Sequence, residues 1–248
     1  MKRYFLEVAY KGTNYHGWQI QENAGSVQDT LQRALSKILR RPIQVMGSGR
    51  TDTGVHALQQ FAHFDIDELG ASSDFLKRVN AVLPSDIGIL DVREVAPDAH
   101  ARFDATWRSY RYVIGLRKDP FEDGLVWRCF YELDVPQMNE AANLLLRFDD
   151  FESFSRVKTE ATHFRCKIKS AKWEQKPNHL IFHITANRFL RGMVRAIVGT
   201  LVLVGRGRMT LEEFEGIIKA KRRVEAGSSA PPQGLFLSEV LYPVHIFV

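Results

Sequence analysis

Bulky apolar residues open the chain at strand spacing, and the run Tyr4 to Tyr10 predicts a first strand. Ser26 then precedes Val27, Leu31, Leu35 and Ile38, which fall on one face of a 3.6-residue repeat. Asp29 stands at the capping-box position, so a helix is expected from the Ser26 cap to about Leu39. Strands are expected at Ile43 to Met46 and Gln59 to Ile66, then a helix from about Asp74 to Val82 that Pro84 stops. Ile87 to Val95 reads as a further strand. The order is βαββαβ, the ferredoxin-like arrangement.

The second half repeats this order without repeating residues. Ser109 to Leu116 reads as a strand, and Met138 to Phe148 as a helix after the Pro136 start signal. Strands follow at Lys167 to Glu174 and Leu180 to Ala186. Phe189 to Val204 and Leu211 to Lys219 read as helices, and Phe236 to Leu241 as a closing strand. The expected fold class is α+β: two ferredoxin-like halves, residues 1–103 and 104–248, with antiparallel-rich sheets side by side. The boundary is expected near His100 to Thr106, with a site in the cleft between the halves, where ligand sites tend to occur.

One connection stands apart from this pattern. Gly47 to Ala57 reads Gly-Ser-Gly-Arg-Thr-Asp-Thr-Gly-Val-His-Ala, so Gly47, Gly49 and Gly54 bracket Asp52 between two expected strands. Asp and Gly are ordinary turn residues. A plain turn, however, needs neither eleven residues nor an Arg and two Thr beside its acid. A Walker loop is excluded because Val55 follows Gly54, where Lys-Ser/Thr would be required. What remains is a carboxylate displayed for chemistry.

This stretch closely resembles the signature of the TruA family of tRNA pseudouridine synthases, whose motif Asp is catalytic. Four further segments resemble that family in the same order: Tyr10-Lys-Gly-Thr-Asn-Tyr-His-Gly-Trp-Gln19, Phe103-Asp-Ala-Thr-Trp-Arg-Ser-Tyr-Arg-Tyr112, Asn187 to Thr200, and Pro231-Pro-Gln-Gly-Leu235. Lys11 stands where an acidic residue is more usual in the family. The five matches span nearly the whole chain. They imply a pseudouridine synthase fold and the isomerisation of uridine to pseudouridine at nucleotides 38, 39 and 40 of the tRNA anticodon arm. They also imply a homodimer in which one subunit holds the tRNA that the other modifies.

Composition adds bounds. Only Cys129 and Cys166 are present, too far apart for a zinc motif or a disulfide framework, which fits a reducing cytosol. No apolar targeting core precedes Tyr4, and the longest apolar stretch, Ala196 to Gly205, is half of what a bilayer span requires. A soluble cytoplasmic protein with no membrane association is expected. The net charge of +5 is mild, so the location of charge matters more than its sum. Asn187 to Arg208 holds five Arg and no acid, a bias that an RNA partner would explain.

Pseudouridine formation breaks the C1′–N1 bond of uridine, rotates the uracil and rejoins it through C5. Nothing is oxidised and no group is lost, so the stoichiometry calls for no cofactor and no metal. Asp52 is the expected catalytic residue, as a nucleophile at sugar or base or as the base that takes a sugar proton; the sequence leaves these open. A carboxylate kept ionised in a water-poor pocket needs a cation nearby. Arg50 and Arg195 are the candidates. The resemblance assigns Arg50 to the space near the extruded nucleotide and favours Arg195 as the Asp52 partner. Arg188, Arg191 and Arg195 would share one helix face, opposite Leu190, Val194, Ile197 and Leu201. Arg188 and Arg191 stay open between phosphate contact and plain surface.

Tyr110 and Tyr112 alternate with Arg111, so both rings are expected on one strand face. The resemblance places Tyr110 against the target uracil and leaves Tyr112 to the core. It also sets Leu235 against the target base. His56 reads as a hydrogen-bonding loop residue, and Tyr15 and Trp18 stay open between packing and RNA contact. Two rival functions weaken on inspection. A silent RNA-binding module would carry an RNP-type aromatic run and has no use for Asp52. An Asp-dependent hydrolase or phosphotransferase would want partner carboxylates beside it, and the loop holds none.

Overall fold

A computed structural model of the chain describes residues 1–156 and 162–248. In chain order these carry β1 (Lys2–Tyr10), α1 (Val27–Leu39), β2 (Met46–Gly47), β3 (His56–Ile66), α2 (Ser72–Asn80), β4 (Ile87–Val95), β5 (Trp107–Gly115) and β6 (Trp127–Arg128). There follow α3 (Val135–Leu144), β7 (Ile168–Gln175), β8 (His179–Ala186), α4 (Met193–Gly205), α5 (Leu211–Ala220) and β9 (Leu235–Leu241). The architecture is α+β and its sheets are antiparallel-rich. The chain groups into two units, Met1–Thr106 with Phe236–Val248, and Trp107–Leu235.

In the first unit β1 pairs antiparallel with both β3 and β4, and β2 pairs antiparallel with β3. This is the order 4-1-3-2 of a ferredoxin-like sheet. Ser26 caps α1 by accepting from the Asp29 backbone N–H at 3.2 Å, as the sequence pattern requires. On one sheet face Tyr4 lies 5.8 Å from Phe64, which stacks at 6.3 Å on Phe75 of α2. Phe5 and Phe61 point to the other face, and the Tyr242 ring lies 5.2 Å from each. That explains why β1 reads as almost continuously apolar: both faces of its sheet are covered.

The cover on the second face comes from the C-terminus, and here the structure differs from the sequence expectation. Residues 236–248 group with the first unit. Phe236 and Leu237 pair in parallel with His56 and Ala57, and the Thr106 and Ala96 N–H groups donate to Leu241 and Ile246 carbonyls at 2.8 Å. Periodicity within a segment carries no signal for which distant aromatic it will cover.

Of the expected strand Ile43 to Met46, only Met46 lies in β2, which Gly47 completes. Ile43 and Val45 are buried, but α1 side chains satisfy their backbone in place of a neighbouring strand. Ser36 Oγ accepts from the Ile43 N–H, Gln32 Oε1 accepts from the Val45 N–H, and Gln28 Nε2 donates to the Val45 carbonyl at 2.8 Å. Apolar alternation was present; the ladder was not.

His63 sits on the Phe5 face of β3, buried, with its Nδ1 accepting from the Ala101 N–H at 3.1 Å. Burial, reinforced by Arg3 and His100 nearby, pushes its pKa from the ordinary 6.5 down to about 4. The unfolded chain therefore takes up a proton at a pH where the folded chain does not. The resulting stability is complete above pH 6.5 and is lost as the pH falls towards 4, a loss of up to roughly 3 kcal/mol. Denaturant titrations at pH values of about 7 and 4.5, either side of the window, should show it. His63→Asn, which keeps an acceptor near the Nδ1 position, should lose much less over that window; an equal loss would place the sensitivity elsewhere.

In the second unit β5 and β7 flank β8 in antiparallel register, and β6, which the sequence did not signal, adds two parallel residues to β5. Asp134 caps α3, with Pro136 in its first turn. The α4 helix is buried on almost every side, and Thr210 and Glu213 close a capping box on α5. The α4 helix starts at Met193, not at Phe189, because Gly192 before it has φ 72°, a left-handed value. Upstream backbone is committed elsewhere: the Asn187 N–H donates to the Lys167 carbonyl, and Arg156 N–H to that of Arg191.

Candidate active site

The Asp52 loop leaves β2 and enters β3, and its flanks are fixed before its centre is reached. The Ser48 N–H donates to the Phe61 carbonyl at 2.7 Å, Ser48 Oγ is bonded to the Gln60 amide oxygen, and Gln60 Nε2 donates to the Gly49 carbonyl at 3.0 Å. Closer in, the buried Thr51 hydroxyl bonds the Tyr10 phenol at 2.9 Å, and its carbonyl accepts from the Trp18 N–H at 3.2 Å. The Val55 N–H closes a turn on the Asp52 carbonyl at 3.1 Å, and Gly54 N–H donates to Tyr15. Gly17 has φ 92°, and a Cβ there would collide with the Thr51 carbonyl oxygen, so no other residue lets the first motif lie this close.

The first motif and the Asp loop are therefore one packed object. His56 accepts at Nδ1 from the Gly12 N–H at 2.9 Å, the hydrogen-bonding role expected of it, but it is the first residue of β3 and not a loop residue, with its ring tilted 4.6 Å from that of Phe236. Trp18, 1% exposed, packs 6.0 Å from Tyr10, and the Tyr15 hydroxyl donates to Asp86 at 2.6 Å. Both rings left open by the sequence are thus packing residues. Asp52 itself is half-buried and Arg50 exposed.

In the second unit Tyr110 is half-buried, with its ring edge-on to Phe189 at 5.0 Å. Tyr112 is fully buried and its hydroxyl donates to the Pro231 carbonyl at 2.7 Å. Burial drives its pKa well above the usual tyrosine range. Gly234 packs on the Tyr112 ring with no room for a Cβ. The Pro231 to Leu235 motif therefore wraps around Tyr112, and Leu235 is buried at its end. Arg195 is tied to the same loop: its Nε donates to the Ala230 carbonyl at 2.7 Å, and Ala230 N–H returns a bond to the Arg195 carbonyl at 2.9 Å.

The expected arginine stripe needs correction. Arg188 and Arg191 precede α4 and so cannot share a helix face with Arg195. Arg188 turns to His163, donating to its Nε2 at 3.0 Å. Sequence reasoning also missed the anchoring roles of Thr51 and Tyr112, since neither carries a local signal. Among the described residues no three His, Cys, Asp or Glu are grouped to hold a metal ion, and no helix is long and apolar enough to cross a membrane.

Asp52 thus stands half-buried on a pinned loop of an α+β scaffold. Comparison with known proteins gives the family. The model of a family described as tRNA pseudouridine synthase matches residues 7–104 and 141–243. A protein of Bacteroides thetaiotaomicron named tRNA pseudouridine synthase A is 49% identical over 250 residues, covering 100% of this chain and 93% of that protein. Its Porphyromonas gingivalis namesake is 47% identical with both chains fully covered, and that of Thermoanaerobacter sp. is 38% identical over 98% of this chain and all of the relative. The chain belongs to the tRNA pseudouridine synthase family, and so to the isomerases that convert uridine to pseudouridine.

Proposed function

We propose that the protein converts uridine to pseudouridine at nucleotides 38, 39 and 40 of the tRNA anticodon stem-loop, in the cytoplasm and as a homodimer, with Asp52 as its one catalytic carboxylate and no cofactor. The observation that carries this reading is the Asp52 loop, in which bonds to Tyr10, Trp18 and Gln60 fix the flanks while the carboxylate stays half-buried. Fixing the backbone in advance removes ordering cost from the reaction. Tyr110 is assigned to stack on the target uracil, Arg195 to hold the Asp52 carboxylate ionised, Arg50 to fill space beside the extruded nucleotide, and Leu235 to present an apolar surface to the base. The C1′–N1 bond breaks, uracil turns, C1′–C5 forms, and the C5 proton leaves as N1 gains one.

The test is chemical mapping of pseudouridine in unmodified tRNA after incubation with the protein alone. Conversion confined to positions 38–40 and indifferent to EDTA is expected. Modification at other positions, or a rate that depends on added metal, overturns the assignment.

Tyr110 gives a second check. Stacking on an exposed base contributes roughly 1–3 kcal/mol, of the same order as the few kcal/mol that extruding a nucleotide costs. Tyr110→Phe should keep most of kcat/KM, and Tyr110→Ala should lose about 10- to 100-fold on that basis. Equal, severe losses would shift the role to the hydroxyl. Tyr112→Ala should instead lower the melting temperature, since emptying a buried aromatic site costs about 3–5 kcal/mol. A stable, inactive Tyr112→Ala would mean that the wrong ring was chosen.

A further inference from the structure

An open groove of about 720 Å³ lies wholly within the second unit, where the chain after α3 runs beside the approach to β7 and the segment before α4. Arg147, Arg165, Lys167 and Arg188 line it against a single carboxylate, Asp149. Cys166 and Ile168 are buried while Arg165, Lys167 and Lys169 are exposed, so alternate positions turn cations outwards.

Backbone bonds hold the walls. The Cys166 N–H donates to the Asp149 carbonyl at 2.8 Å, Phe151 N–H to Phe164 at 3.1 Å, and Lys167 N–H to Asn187 Oδ1 at 2.8 Å. Asp149 reaches Arg165 only at 4.0 Å, and both side chains are at least three-quarters exposed, so it neutralises little (77% and 75%). The Arg188 guanidinium lies 3.0 Å from His163 Nε2, and the Arg165 N–H donates to His163 Nδ1 at 3.2 Å, so the imidazole ties these two cationic residues together. No carboxylate among the described residues pairs with Arg147, Lys167 or Arg188.

We propose that this groove is an RNA-binding surface of the second unit, in which Arg147, Arg165, Lys167 and Arg188 hold successive phosphates of the tRNA backbone. A small anion is the weaker fit, because small-ligand sites enclose most of their ligand and are mainly apolar. Extended cations on rigid backbone suit a strand that passes through. The inference rests on the proposed tRNA substrate, and it extends that reading from Arg188, at the edge of the Asn187 to Thr200 motif, to Arg147, Arg165 and Lys167 outside the resemblance motifs.

Neutralising variants test it by equilibrium binding of unmodified tRNA between about 50 and 200 mM salt, with thermal melts to confirm folding. Removing one phosphate-binding cation should flatten the log–log salt slope by about 0.7, equivalent to roughly fivefold weaker binding at about 0.1 M salt. Arg165→Gln and Lys167→Gln should each show this, their combination should show about twice the slope change, and Lys167→Arg should restore it. An unchanged slope overturns the groove. So does an equal flattening from Arg33→Gln, whose cation on α1 pairs with Asp29 far from these residues in sequence. A wild-type protein that binds tRNA through these cations yet makes no pseudouridine would sink the proposed function and leave the groove standing. Full conversion with salt-indifferent groove variants would do the reverse.

Discussion

Asp52→Asn should abolish pseudouridine formation, lowering single-turnover conversion by roughly 10³-fold or more, the upper range for losing an acid–base or nucleophilic group. Affinity for tRNA should stay within a few fold. The substitution keeps the shape of the side chain and removes its charge, so neither nucleophilic attack nor proton removal survives. Loop geometry should survive as well. Bonds of the Thr51 hydroxyl and carbonyl, the Asp52 carbonyl and the Gln60 side chain hold the loop backbone. Asp52→Glu adds a sharper control, since a displacement of about 1 Å in a reacting group can cost roughly 10²-fold. Turnover by Asp52→Asn near the wild-type level would remove Asp52 from the chemistry. A fall in tRNA binding that matches the fall in turnover would make it a structural residue.

The Asp52 loop stood out in the sequence because more glycine and Thr surrounds its acid than a plain turn needs. The helices were legible where caps were local: Ser26 and Thr210 act within their own first turns. What escaped the sequence was decided by distant partners. Ile43 and Val45 carry the alternation of a strand, yet Ser36, Gln32 and Gln28 on α1 take their backbone groups. Tyr112 reads as any core aromatic, and only the fold brings Pro231 to its hydroxyl. Helical periodicity continued through Leu190 although Gly192 interrupts the helix, so three arginines looked like one stripe. The C-terminal strand was found in the right place, but nothing in its pattern announced that Tyr242 would cover Phe5 and Phe61.

Arg195 carries the second large expectation. Its Nε is committed to the Ala230 carbonyl at 2.7 Å, which fixes the plane of the guanidinium, and Ala230 in turn is held by the Arg195 carbonyl. Pro231, the next residue, is held by Tyr112. A cation so oriented differs from one on a mobile surface chain, which would suit a diffuse phosphate contact. If Arg195 keeps the Asp52 carboxylate charged, removing it leaves a half-buried charge without its partner, a loss of about 1.5–3 kcal/mol on the scale of hydrogen bonds to charged groups. Arg195→Ala should therefore lower kcat by about 10- to 100-fold on that scale, with KM changed only a few fold. Arg195→Lys keeps the charge but loses both the planar fork and the Nε donor to Ala230, so it should restore activity only in part. Melting temperatures separate this from a loop that has simply come loose, because a positioning role predicts full loss of kcat at near-normal stability. If Arg195→Ala raises KM and leaves kcat intact, Arg195 is a phosphate contact, and Arg50 on the Asp52 loop becomes the candidate to keep the carboxylate charged.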